Sequence, residues 1–142
     1  MPDIERHTPK RVLVAGSAAG PVMALDEPLS FWGGLDSETG RIIDHHHPQI
    51  GQCVAGTILV MRAGRGSSSA SSVLAEAIRL GTSPAAIVLL ELDEIIVIGA
   101  LVADELYGIV VHVLVVDEPT FGRIASASSA VIDSDGGITI EI

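Results

Sequence analysis

Residues Gly64 to Ser72 place an arginine between two glycines and follow it with five serines in six positions, 67–72. An apolar run, "TILVM" (57–61), precedes this stretch, and an apolar segment with helical spacing follows it. A strand, a glycine-rich turn and a helix start, in that order, form an anion site. The unpaired amide N–H groups of the first helical turn converge on one point, and the helix dipole adds partial positive charge there. Gly64 and Gly66 let the backbone turn sharply and approach a ligand closely. Arg65 has the fork needed to pair with a carboxylate or a phosphate. Serine hydroxyls donate to the same ligand, or act as base or nucleophile when their proton is drawn off. A Walker loop is excluded, because no lysine stands at the required place. One serine suffices to cap a helix, and further serines are mediocre helix formers. The cluster therefore reads as a functional site.

A second group is "DHHHP", Asp44 to Pro48. On an extended strand His45 and His47 would share a face, a spacing found in metal sites. No third ligand can be placed from sequence, although Cys53 and His112 are candidates. The expectation is that this chain holds no metal and that the histidines shape a loop near the site. His112 lies inside an apolar run and reads as a hydrogen-bonded core histidine. Cys53 is the single cysteine. It excludes an internal disulfide and fits a reducing compartment.

These groups need a scaffold. The 142 residues are enough for one domain, 1–142, with a real core. Hydrophobic residues make up 48% and aromatics 3%, so Val, Ile, Leu and Ala must build that core. A formal charge of -10, from 18 acidic and 8 basic residues, opposes binding to nucleic acid or anionic membrane. The N-terminal "MPDIERHTPK" has no apolar stretch of a signal peptide. The most apolar region, 85–116, is interrupted by Glu91, Asp93, Glu94, Asp104 and Glu105 and cannot span a bilayer. A soluble, cytoplasmic protein is expected.

The apolar patterns predict strands at 11–16, 57–61, 85–90 and 110–116, with those at 11–16 and 85–90 buried. They predict helices from about 71 to 80, closed by Gly81 and Pro84, and over 94–108. Residues 57–116 thus read as strand–helix–strand–helix–strand, the pattern of parallel βαβ units. The tail reads as a hairpin about "DSDGG" (133–137). Residues 17–48 are rich in Gly, Pro, Ser and Asp. They predict a functional loop or short irregular strands, with Phe31 and Trp32 as a hydrophobic anchor or an apolar docking patch. The fold class is α/β with mixed sheets.

From "SFWGG" through "TGRIID", a His-Pro pair and "AG" to "GRGSS", in that order, the chain resembles the swivelling domain, or small subunit, of the aconitase X family. The resemblance covers about Gly16 to Val116. It implies a swivelling β/β/α domain around a central βαβαβ region. It also implies a larger aconitase X-type partner subunit carrying an iron–sulfur cluster, mainly or wholly on partner ligands. Ser67, first after Gly66, matches the superfamily's catalytic serine. Arg65, Gly66, Ser68, Ser69 and His47 are then the substrate-binding candidates. Superfamily members place an arginine two residues after the catalytic serine, whereas this chain has Ser69 there, so carboxylate binding differs. The activities implied are dehydration of cis-3-hydroxy-L-proline, favoured by the serine run, or of phosphomevalonate. From the residues alone, a stand-alone anion-binding module and a histidine-based metal enzyme also remain open.

Overall fold

The computed structural model describes residues 3–142; Met1 and Pro2, the start of the charged N-terminal stretch, lie outside the described residues. In chain order the elements are β1 (Ile4–His7), β2 (Arg11–Val14), β3 (Ala18–Ala24), a helical turn α1 (Phe31–Gly34), β4 (Leu35–Asp36), β5 (Arg41–Ile42), β6 (Ile58–Met61), α2 (Ala70–Leu80), β7 (Ala86–Leu89), α3 (Glu94–Tyr107), β8 (His112–Val115), α4 (Glu118–Ala125), β9 (Ser129–Ile132) and β10 (Ile138–Glu141). Eight strands form one curled mixed sheet in the order β1-β10-β9-β3-β6-β7-β8-β2, and β4 and β5 form a separate small ladder.

The centre of the sheet is parallel. β6 pairs with β7 and β7 with β8, with Leu59, Ile87 and Val113 in register. Side chains alternate between faces along each strand. Leu59, Met61, Ile87, Leu89, Val113 and Val115 enter a core closed by α2 and α3. Ile58, Val60, Ala86, Val88, Leu114 and Val116 enter a second core, closed by α4 and by Ile132, Ile138 and Ile140 of the curled antiparallel strands. Both faces are buried, which is why these strands are continuous apolar runs rather than alternating ones. α2 and α3 lie close together. A Cβ on Gly99 would stand 2.9 Å from the Ser71 carbonyl oxygen and 3.2 Å from Leu74. Each helix ends on a left-handed glycine, Gly81 and Gly108, as their sequences predict.

The α/β class, the βαβαβ centre and the C-terminal hairpin agree with expectation. The flanks differ. The segment 11–16 is not a buried strand: β2 is an antiparallel edge strand on β8, and Val12 is 39% exposed. Residues 17–48 hold a full strand, β3, despite Gly20 and Pro21. Pro21 ends the pairing with β9, and from Val22 the strand pairs with β6 instead. The proline thus sits where the strand changes partner, where its missing N–H is tolerated. β1 and α4 were not predicted. Pro119 and Gly122 disguise α4, but Asp117 caps it by accepting the Thr120 N–H at 3.0 Å.

Candidate active site

Three sequence blocks converge beyond the C-terminal ends of β6 and β7, where parallel sheets bind ligands. The Gly-Arg-Gly-Ser loop leaves β6 and enters α2. Gly64 forms a bridge with Leu29, and the Arg65 N–H donates to the Leu29 carbonyl at 3.3 Å. The "SFWGG" block follows at once: Phe31 is 1% exposed and lines the same narrow cleft as Gly64 to Ser67. The "TGRIID" block is joined by the Ile43 N–H, which donates to the Gly34 carbonyl at 2.9 Å.

The serines do not share one task. Ser67 Oγ accepts the Ser69 N–H at 3.2 Å, and its carbonyl accepts the Ala70 N–H at 2.9 Å. Ser67 therefore closes the turn ahead of α2, while the Ser69 hydroxyl makes no cap bond. The Ser71 hydroxyl donates to the Ser68 carbonyl at 2.9 Å. Ser68 and Ser69 are exposed, and Ser67 is half-buried in the cleft. An oxygen that already accepts a helix N-terminal N–H is one on which negative charge is favoured.

The glycines do something other than expected. Neither Gly64 nor Gly66 has a positive φ, so a sharp turn does not explain them. A Cβ on Gly64 would overlap the carboxylate of Asp93. A Cβ on Gly66 would meet nothing of this chain within 4 Å, which leaves that side of the loop open for close approach. Arg65 lies exposed at the cleft with no side-chain partner among the described residues. Arg62 is committed elsewhere, 3.7 Å from Glu118 and over the ring of Phe121.

Asp93 is the site residue that the sequence reading missed. It caps α3, with Oδ1 accepting the N–H groups of Ile95 at 2.9 Å and Ile96 at 3.2 Å. Its signal in the sequence was a helix start and no more, because its proximity to Gly64 comes from the adjacency of β6 and β7.

The histidines separate. Residues 45–48 form turns and a bend, not the strand on which His45 and His47 would share a face. His45 and His46 are exposed, and His47 is buried. Both His47 nitrogens are engaged: Nδ1 accepts the Gln49 N–H at 3.1 Å, so Nε2 carries the proton donated to the Glu27 carbonyl at 3.0 Å. His47 thereby anchors its loop to the segment leading into Leu29, and it does not line the cleft. His112 donates from Nδ1 to the Val14 carbonyl, as a core histidine should, while Nε2 has no hydrogen-bond partner among the described residues. Cys53 stands apart from the cleft, 3.4 Å from the Thr39 carbonyl. Among the described residues no three of His, Cys, Asp and Glu are grouped to hold a metal ion, and no helix is long and apolar enough to cross a membrane.

Comparison with known proteins bears on the family and the fold. The family model of the aconitase X swivel domain matches residues 7–142. A cis-3-hydroxy-L-proline dehydratase of Pseudomonas aeruginosa is 51% identical over 98 residues, which are 69% of this chain but 17% of that protein. A phosphomevalonate dehydratase small subunit of Methanothermobacter thermautotrophicus is 36% identical over 130 residues, 89% of this chain and 93% of that one. The crystal structure of Thermococcus kodakaraensis aconitase X in its holo form superposes with a TM-score of 0.80 at 30% identity, covering 96% of this chain and 98% of that one. This chain belongs to the aconitase X swivel-domain family.

Proposed function

We propose that this chain is the small subunit of a two-chain hydro-lyase that dehydrates cis-3-hydroxy-L-proline, with Ser67 moving the α-proton. The observation that carries the chemistry is Ser67: a hydroxyl at the cleft, accepting the Ser69 N–H at the start of α2. The 51% identity to a hydroxyproline dehydratase supports the substrate. The small-subunit role rests on relatives called small subunits, one of them covered over 93% of its length. Those relatives are phosphomevalonate dehydratase subunits, and that coverage is the observation favouring phosphomevalonate as a second reading.

Loss of water from a β-hydroxy acid requires a base for the proton α to the carboxylate and positive charge for the carboxylate and developing enolate. In this reading Ser67 Oγ takes the proton, with the Ser69 N–H and the α2 dipole favouring its ionised form. Arg65, with no side-chain partner among the described residues, holds the substrate carboxylate. Ser68 and Ser69 contribute exposed hydroxyls to orient the substrate, and Gly66 leaves the approach open. His47 acts as a positioning residue for the loop before Leu29. Among the described residues no group of His, Cys, Asp and Glu is placed to hold a cluster by itself, and in this reading the cluster and the departure of the hydroxyl belong to the large partner subunit. Trp32, 58% exposed beside buried Phe31, is part of the surface that partner covers.

Reconstitution with a co-purifying large chain tests the proposal. The pair should release water from cis-3-hydroxy-L-proline, and the 142-residue chain alone should not. Turnover of phosphomevalonate in place of hydroxyproline would transfer the assignment to the second reading. Turnover by the isolated chain would refute the subunit role.

A further inference from the structure

The lining of the cleft has a distinctive charge pattern. Its polar side chains are one cation, Arg65, one anion, Asp93, and one hydroxyl, Ser67. Leu29, Phe31, Ile95 and Ile96 supply apolar wall. Asp93 spends only one carboxylate oxygen on the α3 cap, because both amide donors reach Oδ1. Oδ2 faces Gly64, too close to where a β-carbon there would stand to leave it room, and has no hydrogen-bond partner among the described residues. The glycine therefore keeps a half-buried carboxylate against the loop that carries Ser67 and Arg65. Capping α3 requires an acceptor at position 93 but not a charge, since Asn caps as well as Asp.

We propose that Asp93 is a specificity-determining residue that binds the cationic nitrogen of a zwitterionic hydroxy amino acid, opposite Arg65 on its carboxylate. This rests on the catalytic reading of the same cleft. A secondary ammonium offers two N–H donors and a positive charge to Oδ2. A phosphorylated hydroxy acid bears two anionic groups and no cation, and would meet the Asp93 carboxylate with like charge.

The experiment is calorimetric binding to the two-chain complex, with L-proline and tetrahydrofuran-2-carboxylate as probes. The two share a ring and a carboxylate, but the second has an oxygen where proline has its ammonium. Wild-type complex should bind proline at least about 10-fold tighter, the lower range for a hydrogen bond to a charged group. Asp93→Asn keeps the cap acceptor. It should weaken proline by about 10-fold or more, leave tetrahydrofuran-2-carboxylate within about 2-fold, and leave thermal stability unchanged. A structural role alone would weaken both probes equally. Equal weakening, no weakening, or no preference for proline in the wild type would each overturn the assignment. The readout needs no turnover, so it separates the two claims: a complex inactive on hydroxyproline that still loses proline selectivity in Asp93→Asn would refute the dehydratase reading and uphold this one.

Discussion

Replacing Gly64 by alanine adds one carbon to the contact between the Gly-Arg-Gly loop and α3. The φ of Gly64 is not positive, so alanine is allowed there and the effect is one of contact. The new carbon would overlap Asp93 Oδ2 and stand 2.9 Å from its Cγ and 3.0 Å from Ile96 Cδ1. The Ile96 methyl can shift, but the carboxylate is held by two N–H groups and must abandon them to move. Loss of the cap costs about 0.5–2 kcal/mol. Crowding adds about 1–3 kcal/mol. The smaller unfolded-state entropy of alanine offsets about 0.4–1 kcal/mol. The net expectation is a loss centred near 2–3 kcal/mol, on the order of the sums just given. Urea denaturation of the 142-residue chain measures it. The cause is isolated by repeating the change in an Asp93→Ala background, where the clash has gone. There Gly64→Ala should cost less than about 0.5 kcal/mol, giving a coupling of roughly 2 kcal/mol. An equal cost in both backgrounds would refute the contact between the loop and Asp93.

Two further outcomes follow from the packing and the charges. Leu74, fully buried beneath Gly99 where α2 and α3 meet, should cost about 2–5 kcal/mol as Leu74→Ala in the same denaturation assay. Glu5 on β1 is hydrogen-bonded first by Arg123 of α4 and then by His7, which lowers its pKa from 4.5 to about 2. A depressed carboxylate contributes stability above its unfolded value, and loses that contribution as pH falls from about 4.5 through about 2. An NMR titration of the Glu5 carboxyl should therefore show a midpoint near 2 that rises in Arg123→Ala; a wild-type midpoint near 4.5 would contradict the ion pair.

Local pattern carried the parallel centre of the fold because each strand there is buried on both faces and each helix has its own stop signal. Val88 and Leu89 point to different cores, yet both are fully buried, so the run "AAIVLL" reads as strand without knowledge of either core. β3 was hidden because its identity depends on partners distant in sequence, β9 for its first half and β6 for its second. The same reason hid half of the site. Ser67, Arg65 and Gly66 are neighbours in the chain and visible together. Asp93 reaches them only through the register of β6 and β7, and Gly64 could not be read as its seat until the two were seen in contact. His47 was legible as a loop residue, but the turn that turns it inward and its exposed neighbours outward follows from Asp44, whose Oδ1 accepts the His46 N–H at 2.9 Å.

The account stands most directly on the hydroxyl of Ser67. In the complex of this chain with its large subunit, single-turnover kinetics of Ser67→Ala on cis-3-hydroxy-L-proline measure the step assigned to it. The account predicts a loss of at least about 10²-fold in rate, the lower range for a positioned acid–base group, with assembly intact. Stability should fall by only about 1 kcal/mol for the lost turn bond. Ser71→Ala, whose hydroxyl is bonded to the Ser68 carbonyl, should stay near the wild-type rate. A Ser67→Ala complex that assembles and turns over within a few-fold of wild type would contradict the account.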